Sequence, residues 1–322
     1  MAEFRRTILV DDVTPSADGD YTYDLPVDPI SHITLTVKCL NSGTNTKATL
    51  AQILGAIENV QVIYRGSAIF QVSGADLYAL NTILFGKQLM QENVINTDAA
   101  TRAVTLILPF GRKLFDPAEC FVATKRGELQ LKVTVDIADT GYSGIIFLFE
   151  TTELIGATPA NYLKVYTLYK TPSAAGDLDI DLPRGNKLAG ILLWGTTIHS
   201  TTAWTTTIDK VQLLLNNVRR YYCETKAEAL HGEMGVLAGP ANAFAEKFHR
   251  ENTDTSYVSG ADTATEEADD SNLSNYQFMN LGINMPADYI IDTAPLSEIK
   301  VRITAGDANP LRVIPIEIVA AA

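Results

Sequence analysis

Four histidines, three cysteines and one dense run of acids are the residues of this 322-residue chain whose types could do chemistry. A histidine-bound catalytic metal needs two or three imidazoles converging on one cavity, and in barrel enzymes a His-x-His pair with a downstream Glu supplies them. His32, His199, His231 and His249 contain no such pair, and no two fall at matching places in the two halves described below. The two-cupin enzyme, the catalytic reading that a β-rich chain of this length invites, therefore lacks its metal ligands. Cys223 has His231 eight residues on, the raw material of an activated thiol. Its setting, Tyr221-Tyr222-Cys223, is apolar and aromatic, which points to a packed thiol instead. Gly111-Arg112-Lys113 and Gly195-Thr196-Thr197 lack the spacing of a phosphate-cradling loop. No catalytic residue and no cofactor is assigned.

The acidic run lies between Asn252 and Asn275 and includes Asp254, Asp262, Glu266, Glu267, Asp269 and Asp270. Clustered oxygen donors are what calcium requires, so Asp262, Glu266 and Asp269 are the calcium candidates. Their spacing is not that of an EF-hand. The preferred reading is a solvated loop whose like charges repel it into extension. The matching stretch of the first half, Gln88 to Thr101, is shorter, so the run is an insertion expected to project outward.

The elements that would carry these residues come in two sets, because the chain repeats itself. Thr14-Pro15-Ser16-Ala17-Asp18-Gly19-Asp20-Tyr21-Thr22-Tyr23-Asp24-Leu25-Pro26 recurs 157 residues later as the segment from Thr171 to Pro183, with 9 of 13 positions identical. Ile57 to Ile63 is echoed by Ile208 to Leu214, shifted by 151, and Glu128 to Thr134 by Glu298 to Thr304, shifted by 170. The order is the same in both halves, while the offsets differ. Loops change length on a fixed scaffold in this way, and a period of about half the chain signals a duplicated domain.

The local pattern is mostly β. Glu128 to Val135 alternates polar and apolar residues, as does Ile30 to Cys39, with Ile33, Leu35 and Val37 inward and Thr34, Thr36 and Lys38 outward. Ile145 to Phe149 and Leu311 to Ile318 are closing strands, with Pro315 expected at a sheet edge or bulge. Phe4 to Val10 reads as a first strand with Arg5 and Arg6 exposed, a basic-aromatic contact with lipid or a neighbouring subunit being the alternative. One helix per half is expected, from Leu77, Leu80 and Leu84 and from Ala227, Leu230 and Met234, ending at Gly86 and Gly235. Each half thus reads as about eight short strands with one helix after the fourth or fifth. The fold class is all-β, two tandem eight-stranded jelly rolls, residues 1–156 and 157–322, linked through Gly156 to Ala160.

Bulk properties bound the function. A charge of −13 opposes a groove for nucleic acid, which needs clustered Lys and Arg, and suits a protein kept soluble at high concentration. The odd set Cys39, Cys120 and Cys223 offers no disulfide framework, no run is apolar enough to span a bilayer, and the start lacks a secretory core. Folding in a reducing cytosol is the expectation.

These features resemble the double jelly-roll major capsid proteins of tailless icosahedral viruses, the adenovirus-like lineage that includes internal-membrane bacteriophages. The local resemblance is carried by the strand from Val60 to Arg65, Gly66, Ile69-Phe70-Gln71, and Gly74-Ala75-Asp76-Leu77 opening a helix. It implies a shell subunit of the virion: homotrimers with six pseudo-equivalent barrels, contacting neighbouring capsomers, penton and minor capsid proteins, and an internal membrane where one exists. It implies no catalysis and no sequence-specific nucleic-acid binding. The acidic insertion becomes a candidate outward tower. An N-terminal membrane helix, found in some members, is not expected from the few residues before Phe4. A tail-fibre or carbohydrate-binding sandwich pair is the alternative, with Trp194 and Trp204 as its aromatic platform.

Overall fold

Gly19 and Gly176, the matching glycines of the repeat, both take a φ that side-chain-bearing residues avoid, +136° and +137°. Each opens a six-residue strand. In the computed structural model, which describes residues 3–42, 49–86, 90–93, 99–138, 141–198, 205–238, 273–283 and 285–321, the repetition extends from these glycines to whole sheets. The described residues form two compact units, the first up to Lys164 plus the chain end from Ala320, the second from Val165 to Val319.

The first unit runs β1 (Glu3–Val13), β2 (Gly19–Asp24), β3 (Ile30–Asn41), α1 (Leu50–Gly55), β4 (Ile57–Tyr64) and β5 (Ser67–Val72). It continues with α2 (Gly74–Phe85), β6 (Met90–Asn93), β7 (Thr101–Pro109), β8 (Leu129–Val135), β9 (Tyr142–Ile155) and β10 (Asn161–Tyr166). One sheet has the order β1-β9-β3-β7-β6 and the other β2-β8-β4-β5, with β10 beside β5. The second unit runs β11 (Leu168–Lys170), β12 (Gly176–Asp181), β13 (Lys187–Gly195), β14 (Ile208–Leu215), β15 (Val218–Arg219) and β16 (Thr225–Lys226). It ends with α3 (Ala227–Ala238), β17 (Tyr276–Asn280), β18 (Ile291–Asp292), β19 (Ile299–Ala305) and β20 (Leu311–Ala320). Its sheets order as β11-β20-β13-β17 and β12-β19-β14-β15, which repeats the first unit's β1-β9-β3-β7 and β2-β8-β4-β5, with no counterpart of β6 among the described residues.

Register matches as well as order. Gly19 faces Val135 and Gly176 faces Ala305, while Asp24 faces Gln130 and Asp181 faces Lys300. Ile57 opposite Val135 is followed by a bulge before Asn59, and Ile208 opposite Ala305 is followed by one before Lys210. The hairpin Arg65-Gly66 recurs as Asn216-Asn217, all four with positive φ, as a two-residue turn matched to strand twist demands. β8 and β19 share one burial pattern, alternate residues buried throughout. Their inward Leu131, Val133, Val301 and Ile303 are fully covered, and each such side chain contributes about 1.5–3 kcal/mol. In the second unit a single core joins Ile180, Leu213, Leu230, Val301 and Val313 from five different elements.

Several expectations are corrected. α2 ends at Gly86 in the left-handed conformation as expected, but α3 runs past Gly235 to Ala238, since a helix tolerates an interior glycine for about 1 kcal/mol. α1 was not foreseen. Thr49 and Gln52 close a reciprocal capping box over it, and Leu50, Ile53 and Leu54 are buried. Pro315 sits opposite Ile191 inside β20, away from the β13–β20 bulge between Leu188 and Gly190. The outward face of β3 is partly covered, because Thr36 bonds Thr105 (2.8 Å) and Lys38 bonds Asp12 (2.6 Å) across flanking elements.

Candidate functional site

His32 lies on β3, 2% exposed, with Nδ1 against Ser31 Oγ (3.0 Å) and its ring edge-on to Phe115. Burial, reinforced by the Arg6 cation, lowers its pKa to about 4, so it is a neutral core imidazole at neutral pH. His231, in the second unit, bonds the Tyr276 carbonyl through Nδ1 (2.7 Å). Each is satisfied by its own unit. His199 and His249 lie outside the described residues, as do Trp204 and the calcium candidates Asp262, Glu266 and Asp269. Among the described residues no cluster of three or more His, Cys, Asp or Glu side chains could hold a metal.

The cysteines divide by burial. Cys39 and Cys120 are buried, and desolvation pushes both thiols up to about 11, away from the thiolate that reacts. Cys223 is exposed, not packed, two residues beyond Tyr221, where φ is +54°. Arg112 of the glycine-containing turn is committed to Glu119, contacting both carboxylate oxygens through Nε at 3.0 and 3.1 Å. Trp194 is no open platform either, since the Arg312 guanidinium lies 3.8 Å from its ring centroid.

What the molecule does present is strand edges and exposed apolar side chains. β1 ends its sheet, and Phe4, Ile8 and Val13 on it are 58%, 54% and 48% exposed. Arg5 and Arg6 are exposed as expected, and both are anchored: Arg5 to Asp28 (2.9 Å) and to the buried Glu153, Arg6 to Glu150 (3.9 Å). Each unit buries one carboxylate near the end of its last long strand. Glu153 also accepts from Thr7 Oγ1 (2.6 Å), and Glu317 from Tyr166 Oη (2.8 Å) and Asn186 Nδ2 (2.5 Å). Tyr166 is held protonated by burial and by that carboxylate. Such buried, fully bonded carboxylates fix strand positions and offer no solvent-facing base. Sequence could not reveal them, because Glu153 follows Glu150, Thr151 and Thr152 in a stretch that reads as polar, while Glu317 sits between Ile316 and Ile318 as if on an outward face.

No family model matches the chain, and no curated protein does either. Solved structures do match over nearly its whole length. The major capsid protein of STIV, the Sulfolobus Turreted Icosahedral Virus, is 16% identical, with a TM-score of 0.67 over 99% of this chain and 97% of that one. The fold is a double jelly roll. The major capsid protein P2 from Bacteriophage PM2 is similar at a TM-score of 0.62 and 13% identity, covering 100% of this chain and 98% of its own. The PBCV-1 virus capsid protein follows at 0.58 and 11%, covering 99% and 94%. The double jelly roll thus spans the chain with no further domain among the described residues. No helix among them is long and apolar enough to cross a membrane.

Proposed function

We propose that this chain is a viral major capsid protein, made in the host cytoplasm, whose homotrimers tile an icosahedral shell as pseudo-hexamers. The observation that carries the reading is the duplication at the level of register: eight strands, one bulge and one hairpin turn recur in matching order. Two such barrels per chain give six per trimer, the geometry of a hexagonal lattice site. The likeness to capsid proteins of STIV, PM2 and PBCV-1 along almost the full chain supports it. The duplicated domains are residues 1–156 and 157–322. Neighbouring capsomers, penton and minor capsid proteins and an internal membrane are the proposed partners, and the segment from Asn252 to Asn275 the proposed tower.

A shell subunit works by side-to-side burial, with stable interfaces of roughly 1,200–2,000 Å² and closed rotational symmetry that ends growth at three. Light scattering of the purified protein is expected to give three chain masses, and electron microscopy hexagonal trimers or closed shells. A monodisperse monomer at micromolar concentration, or elongated spikes, would overturn the reading.

A further inference from the structure

Among the sheet edges left open by the described residues, two are related by the repeat. β1 has no partner on its outer side among the described residues, and neither has β15. Shifting Phe4–Val13 by 157 places it on Asn161–Lys170, the span of β10 and β11. Shifting β5 by 151, as its hairpin requires, places it on Val218–Cys223, which begins with β15. Within the first unit β10 lies beside β5. The edges β1 and β15 are the same pair of elements one repeat out of step.

We propose that β1 of one copy docks along the β15 segment of a second copy, so that strand addition is the seam between chains. The inference rests on the homotrimeric reading above and names the surface that makes it. Three features of the β15 segment fit an awaiting partner. Val218 and Tyr221 are 52% and 53% exposed, beside Leu215 and Leu296 in an open groove of about 520 Å³. Tyr221 holds a left-handed φ, a strained conformation for a bulky residue that solvent contact alone would not select. The ladder to β14 continues on either side of it, through Arg220 N–H to Leu213 O (3.0 Å) and Leu213 N–H to Tyr222 O (2.9 Å), so the outer edge is presented as a strand.

β1 complements this edge in kind. Its Phe4, Ile8 and Val13 offer apolar surface to Val218 and Tyr221, and the exposed Asp11 offers charge to the exposed Arg219 and Arg220. Main-chain hydrogen bonds then supply affinity while alternate side chains supply register. An exposed long edge otherwise invites indiscriminate pairing.

The test is a cysteine scan in a Cys223→Ser background, where the remaining Cys39 and Cys120 are buried. Val218→Cys is combined in turn with Phe4→Cys, Ile8→Cys and Val13→Cys, then oxidised. Paired strands bring Cα atoms to about 4.5–5.5 Å, within disulfide reach. At least one pair is expected to give covalent dimers and trimers on a non-reducing gel, with no product from any single variant. Trimers by light scattering that no pair cross-links would overturn the docking while leaving the capsid reading intact. Monomers throughout would remove both. As a second measurement, Arg219→Glu with Arg220→Glu is expected to weaken trimers at least tenfold and Asp11→Lys to recover part of the loss. Unchanged trimer stability in the charge-reversed protein would also overturn the docking.

Discussion

At the scale of single residues, His32, Cys39 and Cys120 are buried parts of the packing. His32 shows this with a sign that can be checked. Its folded pKa of about 4 lies below the free value of 6.5, so between these the unfolded chain binds a proton that the folded one refuses. Stability is therefore full above about pH 6.5 and falls as pH drops toward 4, by on the order of 3 kcal/mol. His32→Asn is expected to flatten that stretch of the denaturation-against-pH curve, and an unchanged slope would refute the assignment. Gly74 makes the opposite point about propensity. Alanine favours a helix by about 1 kcal/mol over glycine, yet a Cβ at Gly74 would lie 2.3 Å from the Leu54 carbonyl oxygen. Gly74→Ala is expected to lower stability by about 1–3 kcal/mol in urea denaturation.

At the scale of elements, legibility followed chemistry that is local in sequence. The strands at Gly19, Ile57 and Leu129 and their second-half counterparts were readable because alternation and turn residues recur together. α2 was readable from its buried leucines and its glycine stop. α1 was equally written in Thr49-x-x-Gln52, but one and a half turns carry too few apolar positions for periodicity to show. β1 and β10 share no residues worth aligning, so their equivalence rests on pairing alone. The exposure of Cys223 was not readable either, since its aromatic neighbours Tyr221 and Tyr222 suggest packing in sequence. The buried carboxylates Glu153 and Glu317 were invisible because their partners come from distant strands. Packing at this scale is testable in β8: Leu131→Ala is expected to destabilise by about 2–5 kcal/mol, read by thermal unfolding. A change within 0.5 kcal/mol would contradict the assigned core.

For the whole molecule, the legible feature was the duplication, which extends from the sequence repeat to matched sheet orders and registers. The matched registers also carry a hazard. Sliding β2 onto β19 would set Asp20 against Thr304, Thr22 against Arg302 and Asp24 against Lys300, which keeps two of the native acid pairings of β12 and loses only the Asp179–Arg302 ion pair. Nothing in side-chain charge forbids the exchange, and tandem homologous domains are prone to such crossed assembly. Refolding from denaturant is expected to show a slow phase from misconnected barrels, absent when either β2 or β12 has its acids reversed. During synthesis the hazard shrinks, since the leading barrel can close before the strands that would deceive it leave the ribosome.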